Sequence, residues 1–320
     1  MKFENLKKSL EDKIECGYLI AGDDIFLMQK SLELIKGAMN VDSANISIFN
    51  GDSKADADEI IAVLDAFSFI PDEKRLVILK DVKKIDKKEV DKLDLYLKNP
   101  NPQSVLVIYD TVGGAQYKNL SNITEIDCNT LPSSTIRKIV DGMLKKESKR
   151  ISDKAFARLV DFTNSSMTQI NFEVVKLIAY IDKREEVVEQ DIEDIVKKSE
   201  EYEIYELANA IAARNKNKAI AIYKNLESGK MRVPIISSLY GQFSRMFFSV
   251  VGESDVGTIA TQLDTKPFVI TKVKDAAKNF KKTDLKNIIN EIVEFEFAFK
   301  SGIIKEENAN LLLINKLLNY

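Results

Sequence analysis

The segment Tyr18-Leu19-Ile20-Ala21-Gly22-Asp23-Asp24-Ile25-Phe26-Leu27 runs from an apolar strand straight into a helix, at the place where a nucleotide-binding domain carries its phosphate loop. Its position suits a phosphate cradle; its chemistry does not. A phosphate loop needs several glycines, so that backbone N–H groups can approach the phosphates, followed by a lysine and a Ser/Thr for the terminal phosphates and magnesium. Here Gly22 is followed by Asp23 and Asp24, whose carboxylates would repel phosphate at the helix N-terminus they occupy. An ordinary strand-to-helix turn with Asp24 as N-cap accounts for the same residues. Asp81, just beyond the apolar run Leu76-Val77-Ile78-Leu79, is the only carboxylate placed as a magnesium-holding strand-end acid would be. Without a phosphate-loop lysine it has no phosphate-bound metal to hold, and it reads instead as a strand-end cap or a partner for nearby lysines. No catalytic residue, metal site or cofactor is expected.

A second candidate site is apolar. Ile60, Val63, Leu64 and Phe67 fall at i, i+3, i+4 and i+7, one stripe predicted to face the core. At about 100° per residue, Phe69 would point almost opposite to Ile60 if the helix continued. Pro71 disfavours helix at Ile70 and is predicted to end it there. An apolar pair pushed off the core face, Phe69-Ile70 next to Ser68, is a candidate anchor for a partner's pocket. The competing reading packs both under the following loop. Phe243, Phe247 and Phe248 lie near Arg245 as base-stacking aromatics would, but the apolar run Ile235 to Val251 around them reads as a buried helix.

The composition limits what these residues can be part of. The 320 residues include 45% hydrophobic and 30% charged, a soluble globular composition long enough for two or three domains. Histidine is absent, which removes the commonest general base and zinc ligand and makes triad hydrolases and zinc enzymes poor readings. The 47 basic and 50 acidic residues give a formal net charge of −3 and no global attraction to nucleic acid. The lysine clusters Lys83-Lys84, Lys87-Lys88, Lys145-Lys146 and Lys281-Lys282 read as solvated helix faces. Cys16 and Cys128 have no Cys-x-x-Cys spacing and read as buried thiols. No signal-peptide pattern or membrane-length apolar run occurs, so a cytoplasmic protein with no membrane partner is expected.

Positioning falls to an alternation of elements. Tyr18 to Ala21, Ile46 to Phe49, Leu76 to Leu79, Val105 to Tyr109 and Ile123 to Ile126 are strand-like, separated by stretches with helical periodicity. This predicts an α/β domain with a parallel sheet over residues 1–138. After Pro132 the strand signal disappears. A capped helix near Ser152 to Leu159, a break at Asn164 to Ser166, a helix over Met167 to Ile181 and another beginning near Val187 suggest a small helical domain, 139–203. Residues 204–320 read as a third, all-helical domain.

An α/β domain, a small helical lid and a helical C-terminal domain, in that order, suggest a clamp-loader subunit of the AAA+ type, and individual residues sharpen the resemblance. The chain resembles the delta-subunit family of bacterial DNA polymerase III. Tyr18 to Leu27 is similar to that family's opening signature, with Gly22-Asp23-Asp24 where related subunits carry a phosphate loop. Phe49-Asn50-Gly51-Asp52 resembles its second strand and turn. Phe67-Ser68-Phe69-Ile70, followed by Asp72 to Asp81, resembles its clamp-contacting element and central strand. Ile151 to Leu177, with Glu173 and Lys176-Leu177, is similar to its lid. Ile259 to Leu263, Pro267-Phe268-Val269 and Ala298 to Gly302 resemble its C-terminal signature. Two departures stand out: Ile70 occupies the second position of a pair that is commonly bulkier, and Val175 stands where Glu is common.

The resemblance implies that Phe69 and Ile70, with Ser68, bind the sliding clamp (the beta ring) and bias it toward opening for loading on primed DNA. It further implies degenerate nucleotide positions at Gly22, Asp23, Asp24 and Asp81, no intrinsic ATPase, and a collar formed by residues 204–320. Through that collar the chain would join delta-prime and tau/gamma subunits of the polymerase holoenzyme. The alternative from a different class is a DNA-binding or nuclease-like accessory factor, which would need a basic stacking groove or clustered metal-binding acids.

Overall fold

Strands alternate with helices through the first part of the computed structural model, which describes residues 1–50, 56–70, 73–80, 86–111, 115–228, 235–252, 255–263, 265, 267–304 and 309–320. Helix α1 (Phe3–Asp12) precedes β1 (Gly17–Ala21), α2 (Ile25–Met39), β2 (Ile46–Asn50), α3 (Ala57–Asp65), β3 (Arg75–Lys80), α4 (Lys87–Lys98), β4 (Ser104–Asp110) and β5 (Ile123–Asp127). The five strands form one parallel sheet in the order β2-β3-β4-β1-β5. Strands β1 and β4, at its centre, are buried along their whole length, while edge strand β2 is not. That is why β1 and β4 read as continuous apolar runs: a parallel sheet covered on both faces leaves no polar side. One face carries Leu19, Val77, Leu79, Leu106 and Ile108 beneath Ile60 and Leu64 of α3 and Leu93 and Leu97 of α4.

The chain then enters α5 (Ser133–Lys146), α6 (Asp153–Phe162), α7 (Met167–Ile181) and α8 (Glu189–Ile195). The helices are accompanied by two short strands, β6 (Arg150–Ile151) and β7 (Glu186–Val187), paired in parallel. Sequence periodicity predicts no strand after Pro132, and this pairing corrects it. Each piece is two residues long, too short to show a period, and what holds it is the burial of Ile151 and Val187. Helix α7 packs against α2, α5 and α8, which ties the helical segment to the sheet side of the same compact unit, Met1–Val196.

The second compact unit, Lys197–Tyr320, is helical in its described residues: α9 (Glu200–Ala212), α10 (Lys216–Ser228), α11 (Ile235–Val251), α12 (Val256–Gln262), α13 (Pro267–Ala277), α14 (Lys282–Lys300) and α15 (Ala309–Leu317). Its core gathers Leu207, Leu239, Phe243, Met246, Ile288, Ile292 and Leu313. Phe243 is fully buried and meets Phe280 edge-on, and Phe247 packs against the same core, so neither is a stacking platform; Phe248 lies at the surface. Among the described residues no group of His, Cys, Asp and Glu is placed to hold a metal ion, and no helix is long and apolar enough to cross a membrane.

Candidate functional site

In an open parallel sheet, ligands bind beyond the carboxyl ends of the strands, where the strand order reverses. In this sheet that place is the end of β1, between β4 and β5, and it holds Gly22, Asp23 and Asp24. Three residues connect Ala21 to Ile25, too few to wrap a phosphate. Gly22 has a φ of +152°, and a Cβ there would lie 2.4 Å from the carbonyl carbon of Cys128, so only glycine fits and the turn is pressed onto the exit of β5. The Asp24 amide donates to Cys128 O at 3.1 Å, and the Asp23 amide to Asn129 Oδ1 at 3.1 Å. Asp24 is the N-cap of α2: its Oδ1 accepts from the amides of Phe26 at 3.1 Å and Leu27 at 3.2 Å. The amides that would cradle a phosphate are satisfied within the protein, those of Asp23 and Asp24 by Asn129 and Cys128 and those of the first turn of α2 by the Asp24 carboxylate. Asp81, the fourth candidate nucleotide position, lies outside the described residues.

The apolar candidate sits elsewhere on the same unit, after α3. This helix stops at Asp65, and Ala66 is extended with φ −69° and ψ 149°. The periodic reading carries the helix on toward Pro71 and places Phe67 in the core stripe; the structure corrects both points. Ile60 and Leu64 are buried as expected, whereas Phe67 is 98% exposed. The cause is a pair of acceptor-seeking side chains, Ser104 at the start of β4 and Asn101 in the turn before it: Ser104 Oγ and Asn101 Nδ2 donate to Leu64 O, at 2.6 and 3.2 Å. They satisfy the carbonyl of the last turn, and the chain leaves the helix a turn early.

From there the backbone is held while the rings are not. The Phe69 amide donates to Asn45 Oδ1 at 2.7 Å, Ser68 Oγ donates to Glu73 O at 2.8 Å, and the Arg75 guanidinium donates to Phe67 O. Asn45 is fully buried and also donates through Nδ2 to Glu73 Oε2 at 2.9 Å. Phe67 and Phe69 both project to solvent, Phe69 at 79% exposure, while Ser68 and Ile70 are half-buried. The Arg75 guanidinium lies 5.9 Å from the centre of the Phe69 ring. The structure thus joins Ser68, Phe69 and Ile70 in one loop, adds Phe67 to its exposed side, and sets them apart from Gly22, Asp23 and Asp24.

Two family models match the chain: DNA polymerase III, delta subunit, over residues 18–122, and DNA polymerase III delta subunit, C-terminal domain, over residues 201–317. This chain belongs to the DNA polymerase III delta-subunit family. A curated relative, DNA polymerase III subunit delta of Bacillus subtilis (strain 168), is 26% identical over 329 residues, covering 94% of this chain and 92% of its own. A solved Bacillus subtilis DNA clamp loader delta protein superposes with a TM-score of 0.65 at 24% identity, covering 99% of this chain and 100% of that one, and shows the shared fold. The periodic reading places Phe67 in the core stripe, and the sequence does not single out Asn45 and Arg75, which hold the backbone of this loop. The exposure of Phe67 follows only once the helix is known to end at Asp65.

Proposed function

We propose that this delta-family chain docks on the sliding clamp through Phe67 and Phe69 and, as part of a clamp loader, biases the ring toward opening so that it can be loaded on primed DNA. One observation carries the reading: two phenylalanines, two residues apart, both stand exposed on a backbone pinned by Asn45, Ser68 and Arg75. Exposing two large aromatics costs solvation, and a rigid aromatic anchor is the usual centre of a binding hot spot. Because the backbone is already fixed, little conformational entropy remains to be lost on docking. Ile70, half-buried beside them, completes the apolar edge. The filled turn at Gly22-Asp23-Asp24 supports a subunit that neither binds nor hydrolyses ATP, leaving energy input to partner subunits. The helical unit from Lys197 onward supports assembly with those partners, delta-prime and tau/gamma.

The test is affinity for the purified sliding clamp of the same organism. Fully burying each phenylalanine contributes roughly 1.5–3 kcal/mol, so the Phe67→Ala/Phe69→Ala double variant should lose on the order of 3–6 kcal/mol. That corresponds to about a hundredfold to ten-thousandfold in Kd. Unchanged affinity in the folded double variant would remove the docking site.

A further inference from the structure

Asp24 caps two helices, not one. Besides the Phe26 and Leu27 amides of α2, its carboxylate accepts from the first turn of α7, more than 140 residues along the chain: the Met167 amide to Oδ2 at 2.6 Å, the Thr168 amide to Oδ2 at 3.2 Å and Thr168 Oγ1 to Oδ1 at 2.9 Å. Thr168 Oγ1 in turn accepts from the Phe26 amide at 3.0 Å, so the two helix ends are also joined directly. Asp24 is 6% exposed. Five donors meet one carboxylate, which saturates its roughly four lone-pair sites.

The electrostatics require something negative at this point. Each helix N-terminus carries roughly half a positive charge on amides with no partner inside the helix. Two such ends brought together repel each other, and an anion between them turns the repulsion into a bridge. Helix N-termini recruit phosphate for the same reason, and here the chain supplies its own anion at the place in the sheet where a nucleotide phosphate would be bound. Helix α7 has a separate cap in Ser166, whose Oγ accepts from the Gln169 amide at 3.3 Å, so its first turn does not need Asp24 merely to begin. What Asp24 adds is the link to α2.

We propose that Asp24 is a built-in oxyanion that fixes α7, and with it the helical segment after α5, against the parallel sheet without any bound phosphate. Removing the carboxylate should leave a latent site for a free oxyanion such as inorganic phosphate or acetate. The inference does not rest on clamp docking, which uses a different loop.

Amide hydrogen exchange on the full chain tests it. In the wild type the Phe26, Leu27, Met167 and Thr168 amides should be protected although they lie in first turns, and inorganic phosphate should leave them unchanged. Glycine is tolerated at N-caps, so Asp24→Gly isolates the lost carboxylate. The Leu27, Met167 and Thr168 amides should exchange on the order of ten- to a hundredfold faster, the scale of a lost charged hydrogen bond, and the Phe26 amide, which keeps Thr168 Oγ1 as acceptor, by less. Excess phosphate or acetate should slow them again. Asp24→Asn keeps one acceptor oxygen for two helix ends and should release one of the two amide pairs; it also serves if the glycine variant does not fold. Open-chain exchange rates at the four amides in the wild type would overturn the proposal. So would acceleration confined to Phe26 and Leu27 in both variants, which would make Asp24 an ordinary cap of α2.

Discussion

Phe67 and Leu64 are three residues apart and have opposite roles. Leu64 is buried against the sheet, and replacing it with alanine should cost about 2–5 kcal/mol of stability. Phe67 touches solvent almost all round, so Phe67→Ala should change stability by no more than about 0.5 kcal/mol. Thermal melts of the two variants should therefore separate, with Phe67→Ala close to wild type and defective only in clamp binding. A melt of Phe67→Ala as low as that of Leu64→Ala would return the ring to the core. The cysteines differ in a comparable way. Burial pushes the Cys128 thiol up to about 11, a shift opposed in part by the bond with Ser31. Since the thiolate is the reactive form, only roughly one part in a thousand of Cys128 is reactive at pH 8. Cys16, half-buried and also raised by burial, is the more accessible. Alkylation at pH 8 should label Cys16 first and Cys128 only on unfolding; equal rates in the native protein would contradict this. A folded-state value above the unfolded one means the stability Cys128 contributes is complete below about pH 9 and is lost as pH rises through about 11.

At the scale of elements, the docking loop depends on residues outside it. Asn45, from the turn before β2, accepts the Phe69 amide and donates to Glu73, and so holds both ends of the loop. Asn45→Ala leaves both rings in place but frees their backbone. The freed loop must then be ordered on binding, at roughly 1–2 kcal/mol, which should weaken clamp affinity about five- to thirtyfold. The measurement is Kd beside the native fraction at the assay temperature. Wild-type affinity in the folded variant would show that Arg75 and Ser68 suffice. Local sequence made much of this architecture legible. The sheet strands, the start of α3, and α7 from Met167 to Ile181 all follow from apolar runs and capping residues. What stayed hidden was set from a distance. The early end of α3 is fixed by Asn101 and Ser104, 37 and 40 residues from Leu64, and no local pattern reports them. The N-cap role of Asp24 was legible because its partners are two and three residues away. Its hold on α7 was not, because those partners lie 143 and 144 residues on.

For the molecule as a whole, two compact units divide the labour proposed here. The sheet-containing unit Met1–Val196 carries both the proposed clamp-docking loop and the Asp24 bridge, with the hydrogen-bond partners named above for each lying inside it. The unit Lys197–Tyr320 has a separate core around Leu207, Phe243 and Ile288 and contains no part of the docking loop. It nonetheless leaves Val293 and Phe297, four residues apart on α14, exposed on one face, with Phe297 at 71%. Neighbouring large apolar groups on a helix face mark a surface that a partner helix can cover. If this unit is the collar, a charge placed on that face should break assembly and nothing else. Phe297→Asp is expected to abolish co-purification with the other loader subunits while leaving the melt near wild type and clamp affinity unchanged. A fragment ending at Val196 should likewise keep clamp affinity and lose assembly. Assembly of Phe297→Asp at wild-type strength would exclude this face of α14, and assembly of the 1–196 fragment would move the collar role out of the C-terminal unit altogether.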